Sequence, residues 1–343
     1  MKGTETVQSF ACPNYSGILY NKANTKTPFL NMISGNVKFT NSVEFVTGQF
    51  YSSEEGEIPE ISETASLTAK DASFVTRSQM SNVTQIFMES VAISYAKQSN
   101  MATLSGVNLA GQSANPQNEK DFQIARKMEK IKRSIEKTFI LGVYNKATQD
   151  TEVNKTRGMV EAIQTNKVNA NSKALNLWLV DNAVELINSA GGDISNLVIL
   201  MNSVNLLQLH GNAIEMGMPV GQEYMSAYGI QVRDLILPVG TTVKVGLGEF
   251  IPEGKALVIN PSVIGPVEQP VPGKGNFFLE ELAKTGAGEK YQIFGQIGLD
   301  HGPEWFHAII EGLSTEFVAP EGQKVVTVSA TNQAETTSEE VVG

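Results

Sequence analysis

At 343 residues with 41% hydrophobic side chains, the chain is large enough to build one or two real cores, and a net charge of −10 argues against salt-dependent wrapping on phosphate backbones, which rests on Lys and Arg displacing counterions. Its single cysteine, Cys12, excludes an intrachain disulfide framework, and Met1-Lys2-Gly3-Thr4-Glu5-Thr6 lacks the apolar run of a secretion signal, so cytosolic folding is expected. Apolar runs such as Leu197-Val198-Ile199-Leu200-Met201 fall far short of membrane-spanning length.

Residues 1 to about 35 show no sustained hydrophobic period and read as an extended arm, anchored by Thr27-Pro28-Phe29-Leu30. From about Asn36 to Ser78 the chain is too poor in apolar residues to form a core of its own. Its first limb, Val37 through Val46, alternates loosely like an edge strand; its second, Leu67 through Val75, does so more weakly, and the pair predicts a long hairpin. The tip carries Glu54, Glu55, Glu57, Glu60 and Glu63, with Gly56 and Pro59 blocking regular pairing. An isolated two-stranded hairpin is marginal in water, so something outside the subunit is expected to hold it. A disordered acidic loop is the plain alternative.

Ser81 or Asn82 can cap a helix running through Val83, Ile86, Phe87, Ser90 and Ile93, where apolar side chains recur every three or four positions. A linker from Gly106 to Asn118 leads into the most periodic segment. There Ile124, Met128, Ile131, Ile135 and Phe139 form a stripe, with Arg126, Lys127, Glu129, Lys130, Lys132, Arg133 and Lys137 around the rest of the cylinder. This predicts a spine helix of about thirty residues and some 40 Å. Its basic side suits a solvated face or a subunit contact, with loose contact to a packaged polyanion as the alternative, since no aromatic platform interleaves the charges.

Ser172 to Ala190 reads as a helix stopped by Gly191-Gly192. Leu197 to Met201 is a short buried strand, after which Ser203 can cap a helix through Leu206, Leu207, Leu209 and Ile214. Ile230 to Ile236, Thr242 to Val245 and Ala256 to Ile259 are strand-like, separated by Pro238-Val239-Gly240 and Pro252-Glu253-Gly254. Lys290 to Ile297 and Trp305 to Ile310 are two closing strands, and the tail from about Val318 turns polar, with a disordered composition from Asn332 to Glu340.

Chemistry-bearing motifs are weak. Gly246-Leu247-Gly248 has Ile251 where a third glycine would belong, and Pro272-Gly273-Lys274-Gly275 lacks the upstream glycine of a phosphate loop. His301 and His307 would lie some 20 Å apart on an extended strand, too far to share a metal; a turn at Gly302-Pro303 shortens the distance, and a surface or packing role is expected. His210 stands alone on a helix. No serine sits in a nucleophile elbow, and Cys12 has no histidine near it in sequence. Of the paired carboxylates, Glu54-Glu55 lies in a polar tip and Glu280-Glu281 is expected to flank a packed segment, neither suited to acid/base work.

The order of elements, with Asn82-Val83-Thr84-Gln85-Ile86-Phe87-Met88-Glu89-Ser90-Val91 and the late runs Leu279-Glu280-Glu281-Leu282-Ala283-Lys284-Thr285-Gly286, Gln296-Ile297-Gly298-Leu299 and His307-Ala308-Ile309-Ile310-Glu311-Gly312-Leu313, resembles the α+β coat-protein fold of tailed bacteriophages, shared with encapsulin shells. The resemblance runs from about Thr25 to Phe317. It implies an N-terminal arm (1–35), an E-loop hairpin (36–80) lying on an adjacent subunit, a P domain with its spine (81–150), an A domain (151–275), closing P-domain strands (276–317) and a polar tail (318–343). It further implies a structural protein rather than an enzyme, with no cofactor and no metal. Such a protein assembles with itself into pentamers and hexamers of an icosahedral shell around double-stranded DNA, in the virion, after synthesis in the host bacterial cytoplasm. The inter-subunit contact candidates are Glu54, Glu55, Glu57 and Glu60 on the tip and Arg126, Lys130 and Arg133 on the spine. With about 35 residues before the hairpin, a separate scaffold protein is expected, beside a portal and decoration proteins, loose contact with DNA and no membrane. No crosslinking Lys and Asn positions are identified. An encapsulin nanocompartment and, in a different class, a soluble α/β enzyme with an acidic lid are the competing readings.

Overall fold

The computed structural model describes residues 27–51, 58, 60–68, 74, 77–95, 119–216, 225–227, 230–237, 240–284 and 286–316. The anchor at Thr27 is a short helix, α1 (Pro28–Ile33), whose six residues are all buried. β1 (Lys38–Phe39) is followed by β2 (Glu44–Tyr51), β3 (Arg77–Val83) and β4 (Gln85–Ser94). β2 and β3 form the expected hairpin, in register from Glu44↔Val83 to Tyr51↔Arg77. The limb that pairs with β2 is thus Arg77–Val83; of the expected Leu67 through Val75, residues 69–73 and 75 lie outside the described residues, Ala65–Leu67 is a single 3-10 turn, and Leu67 and Phe74 are exposed. Lys38–Phe39, read as part of the first limb, belongs instead to the body, pairing in parallel with a later strand.

The helix expected from Ser81 to Ile93 is the strand β4. Phe87, Val91 and Ile93 are buried while Ile86, Met88, Ser90 and Ala92 face outward, a period of two. Apolar residues at 83, 86, 87 and 93 fit either period in so short a window, and long-range pairing decides between them. The spine is α2 (Glu119–Leu141), 23 residues rather than about thirty, and it buries Ile124, Met128, Ile131, Ile135 and Phe139 as its stripe predicts.

α3 (Met159–Ala162), β5 (Lys167–Asn169), α4 (Leu177–Ser189), β6 (Val198–Met201) and α5 (Ser203–Glu215) follow. α4 begins five residues later than expected, because Asn171 and Ser172 turn the chain through positive φ and Asn176 caps the helix, accepting the Leu179 N–H at 2.9 Å. The cap of α5 is Asn202, one residue before Ser203. The remaining strands are β7 (Met225–Ala227), β8 (Ile230–Ile236), β9 (Thr242–Leu247), β10 (Ala256–Ile259), β11 (Gly265–Glu268), β12 (Phe278–Leu282), β13 (Gly288–Asp300) and β14 (Ala308–Glu311). Trp305, expected to open the last strand, lies in a 3-10 turn.

One sheet runs β1-β11-β13-β12, with β4 on the other side of β13; a second runs β5-β14-β10-β6-β9-β8-β7; the hairpin stands apart. Central strands of the second sheet are buried on both faces. Val198, Leu200, Leu257, Ile259 and Ile309 join α1, the spine and the first sheet in one core, while Ile199, Met201, Ala256, Val258, Ala308 and Ile310 join α4 and α5 in the other. That is why Leu197–Met201 reads as a continuous apolar run: no face of β6 meets water.

Candidate assembly surface

Four features of the described residues point outward or hold what does. The first is the root of the hairpin. Thr47 is buried and its hydroxyl lies 3.0 Å from His301 Nε2, while His301 Nδ1 is 2.7 Å from the Gly302 carbonyl. Nδ1 must donate to that carbonyl, so Nε2 accepts from Thr47 and the ring is neutral; burial first of all keeps its pKa low. His307 continues the chain, accepting the Asn260 N–H on Nδ1 and donating from Nε2 to the His301 carbonyl at 2.9 Å. Its pKa is pushed down to about 4 by burial. The turn at Gly302-Pro303 thus brings the two histidines together for packing, not at the surface. On the opposite limb buried Asn82 donates to the Leu299 carbonyl at 2.7 Å and accepts the Arg157 N–H at 2.7 Å. Beside Thr47, Gly48 has φ of +43°, and a Cβ there would meet the Gly302 oxygen at 2.8 Å, so the bulge demands glycine. The hairpin is therefore set rigidly into the body at its base.

The second feature is what the hairpin carries outward: Ile58, Ile61, Leu67 and Phe74 are 89%, 61%, 86% and 91% exposed. Scattered exposed apolar residues are ordinary, but large ones concentrated on one projection mark a contact surface. Of the tip candidates, Glu60 is described and exposed; Glu54, Glu55 and Glu57 lie outside the described residues.

The third is the basic side of the spine. Arg126 pairs with Glu129 at 2.8 Å, Lys127 with Glu89 at 2.8 Å, Lys130 with Glu89, and Arg133 with Glu249. Burial pushes the Glu89 carboxyl up, but hydrogen bonds from the two lysines outweigh it and hold the group below its ordinary value. Arg133 also lies over the Phe250 ring, 5.8 Å from its centroid. Arg126, Lys130, Arg133, Lys137 and Phe250 line an open concavity of about 430 Å³. The three spine candidates are thus brought onto one wall, already partnered within the subunit yet still about half exposed. Glu89, Glu249 and Phe250 were not legible as their partners, because each arrives from a distant strand or loop.

The fourth is Glu136, on the buried side of the same helix. Its oxygens accept the N–H groups of Phe29 and Leu30 at 2.9 and 2.6 Å, pinning the first turn of α1 to the spine. The group is 0% exposed, and burial raises its pKa from 4.5 to about 7 against the lowering effect of those two hydrogen bonds and Lys132. A carboxyl that binds its proton more tightly when folded contributes stability that is complete below about pH 4.5 and is lost as pH rises through about 7. Between about pH 4.5 and 7.5, denaturant unfolding of the subunit is expected to show stability falling by on the order of 3 kcal/mol. Glu136→Gln should flatten that slope; an unchanged slope would assign it to other groups.

Among the described residues no group of three or more His, Cys, Asp or Glu could hold a metal ion, and no helix is long and apolar enough to cross a membrane.

Comparison with known proteins gives a consistent result. The family model described as SU10 major capsid protein matches residues 2–314. No curated protein sequence matches the chain. Among solved structures, the encapsulin of the holo-SrpI complex from Synechococcus elongatus PCC 7942 is 11% identical, covers 91% of this chain and 99% of its own, and superposes with a TM-score of 0.53. The capsid of an empty GTA particle is 12% identical over 84% of this chain and 97% of its own, with a TM-score of 0.52. A structure from Mycobacterium phage Patience is 11% identical over 89% and 88%, with a TM-score of 0.53. At such identities the likeness is one of fold.

Proposed function

Because the chain belongs to the SU10 major capsid protein family, a family of shell-forming structural proteins and not of enzymes, we propose that its copies meet head to tail in pentamers and hexamers that close an icosahedral shell around the double-stranded DNA of a tailed phage. The observation that carries this reading is the hairpin: a two-stranded projection, rigid at its root, whose large apolar side chains Ile58, Ile61, Leu67 and Phe74 are left uncovered among the described residues. Heterologous contacts that close into rings supply the cover, each copy receiving the projection of the next. Many moderate contacts then make a stable whole, while a single one stays weak enough to avoid premature polymerisation.

On this reading the hairpin is the E-loop, the spine and the β4-β13 sheet form the P domain, and residues about 151 to 275 form the A domain. The acidic tip meets the basic wall of a neighbouring spine. A separate scaffold, a portal and decoration proteins are the further partners, packaged DNA is touched loosely, and the mature protein resides in the virion capsid. The encapsulin reading shares the fold but not the family match. Electron microscopy of negatively stained purified protein should show capsomers, tubes or closed shells; a monodisperse small particle at all concentrations would refute the proposal.

The charge contact has its own test. Arg126→Glu should raise the protein concentration needed for assembly by about threefold, the weight of one exposed ion pair per contact, and Glu60→Lys in the same chain should restore it. An assembly threshold indifferent to both changes would remove Arg126 and Glu60 from the interface.

A further inference from the structure

α4 and α5 cover one face of the second sheet, and the side they turn away from it is partly apolar. On α5, Asn205, Gln208, Leu209 and Ala213 are buried, while Leu207 and Ile214 are 50% and 54% exposed; at 100° per residue those two fall within about 20° of each other on the opposite side of the helix. Gly211 lies one turn on from Leu207, and a glycine inside a helix weakens it and marks a place where another segment can approach closely. Trp178, in the first turn of α4, is 64% exposed. One turn further, Asp181 is buried with its Oδ1 lacking a hydrogen-bond partner among the described residues, an acceptor left open for a donor. The last described residues of the chain are held at this place. Gln208 donates through Nε2 to the carbonyls of Ser314 and Glu316 at 3.1 and 2.8 Å and accepts the Leu175 N–H at 3.0 Å. Asn212, the next residue on that side of α5, accepts the Leu177 N–H at 3.0 Å, so Glu316 and Trp178 are anchored about 6 Å apart along the helix.

We propose that residues 317–328 fold back as a strap over this side of α5 and the first turn of α4 in their own subunit, Phe317 and Val318 covering Leu207 and Trp178 and the valines that follow reaching Ile214. The tether selects the occupant. Phe317 follows directly on Glu316, whose carbonyl Gln208 already holds, so the segment stands at the patch at an effective concentration that another copy's segment matches only in millimolar protein. Composition agrees: of these twelve residues Phe317, Val318, Val325, Val326 and Val328 are large and apolar, and the disordered composition begins only at Asn332. Length agrees as well. Twelve extended residues reach roughly 40 Å, far more than the roughly 9 Å from Gln208 to Ile214 along α5, and Pro320-Glu321-Gly322 supplies the turn that doubles the segment back between its two apolar groups. A backbone N–H of the strap gives Asp181 its donor. Seated, the strap closes an apolar face through which free subunits would otherwise aggregate. The contact lies within one subunit and stands apart from the shell-forming reading.

Two measurements on free subunits test this. Ending the chain at Glu316 should shift tryptophan emission to longer wavelength and make it more readily quenched by iodide, and both changes should vanish in a Trp178→Phe background, where Trp305 is the remaining tryptophan. Should truncation unfold the subunit, Phe317→Asp with Val318→Asp in the full chain should produce the same two changes. The emission of the intact chain should not vary with protein concentration, since each strap covers its own subunit. Second, a chain carrying Cys12→Ser, Leu207→Cys and Val318→Cys is oxidised with diamide, alongside a mixture of chains that each carry Cys12→Ser and one of the two new cysteines. A disulfide within the doubly substituted chain, found by mass spectrometry of its unreduced peptides, supports the proposal. Emission and quenching indifferent both to truncation and to the two aspartates overturn it, and so does a disulfide that forms only between chains.

Discussion

Ile131→Asp is expected to leave no soluble folded subunit. Ile131 sits in the middle of the spine, 2% exposed, in the core where the helix meets Phe87, Val91, Ile293 and Ile297. Aspartate there loses the isoleucine's apolar burial, worth about 2 kcal/mol, and places a carboxyl among hydrocarbon. Ionised, that group costs several kcal/mol more, and it can avoid the charge only by binding a proton at a similar cost at neutral pH. The sum is comparable to the whole stability of a typical fold, about 5–15 kcal/mol. The soluble fraction after expression and the far-ultraviolet circular dichroism of any soluble material measure it, with Ile131→Val as a control expected to lose only about 1 kcal/mol. A soluble, cooperatively unfolding Asp variant would mean that the spine does not lie in the core.

The second large effect separates folding from assembly. Replacing residues 52–76 by Asn-Gly, a two-residue hairpin turn, should leave the subunit folded and unable to build shells. Nothing in the excised stretch that the structure describes belongs to either core: Ile58, Ile61, Leu67 and Phe74 are all exposed. The root is held independently by Thr47 on His301 and Asn82 on Leu299. Circular dichroism and unfolding midpoint should therefore stay close to wild type. In a shell, covering four large apolar side chains gives about 1.5–3 kcal/mol each, so their loss should raise the assembly threshold by more than about a thousandfold. Normal particles from this variant would show that the projection is not what holds neighbours together.

The parts of the molecule legible from residues alone were those whose periodicity has one solution. The spine shows this best: five apolar residues at helical spacing over sixteen positions, from Ile124 to Phe139, admit no strand. The doubly buried strands at Val198–Met201 and Ala256–Ile259 were likewise plain as apolar runs between turn signals. β4 misled because Val83, Ile86, Phe87 and Ile93 satisfy helix and strand alike, and only β13, two hundred residues later in the chain, breaks the tie. The hairpin was found but its second limb misplaced, since Leu67 and Phe74 look like strand residues and in fact stand in solvent. Of the charged wall, Arg126, Lys130 and Arg133 could be read from helical spacing; their partners Glu89 and Glu249 could not, because no local pattern announces a contact across the fold. Glu136 was invisible for the same reason: one of four acids in a basic helix gives no sign that it will be the one sealed inside.

In β6 and β10, successive side chains feed opposite cores, Val198 and Leu200 to one and Ile199 and Met201 to the other. Sliding or tilting one half of the body against the other would tear both cores at once, so the body behaves as a single stiff tile. A closed icosahedral surface nevertheless bends more sharply at its vertices than across its facets. With a stiff tile, that difference in curvature falls to the angle at which one tile's edge meets the next.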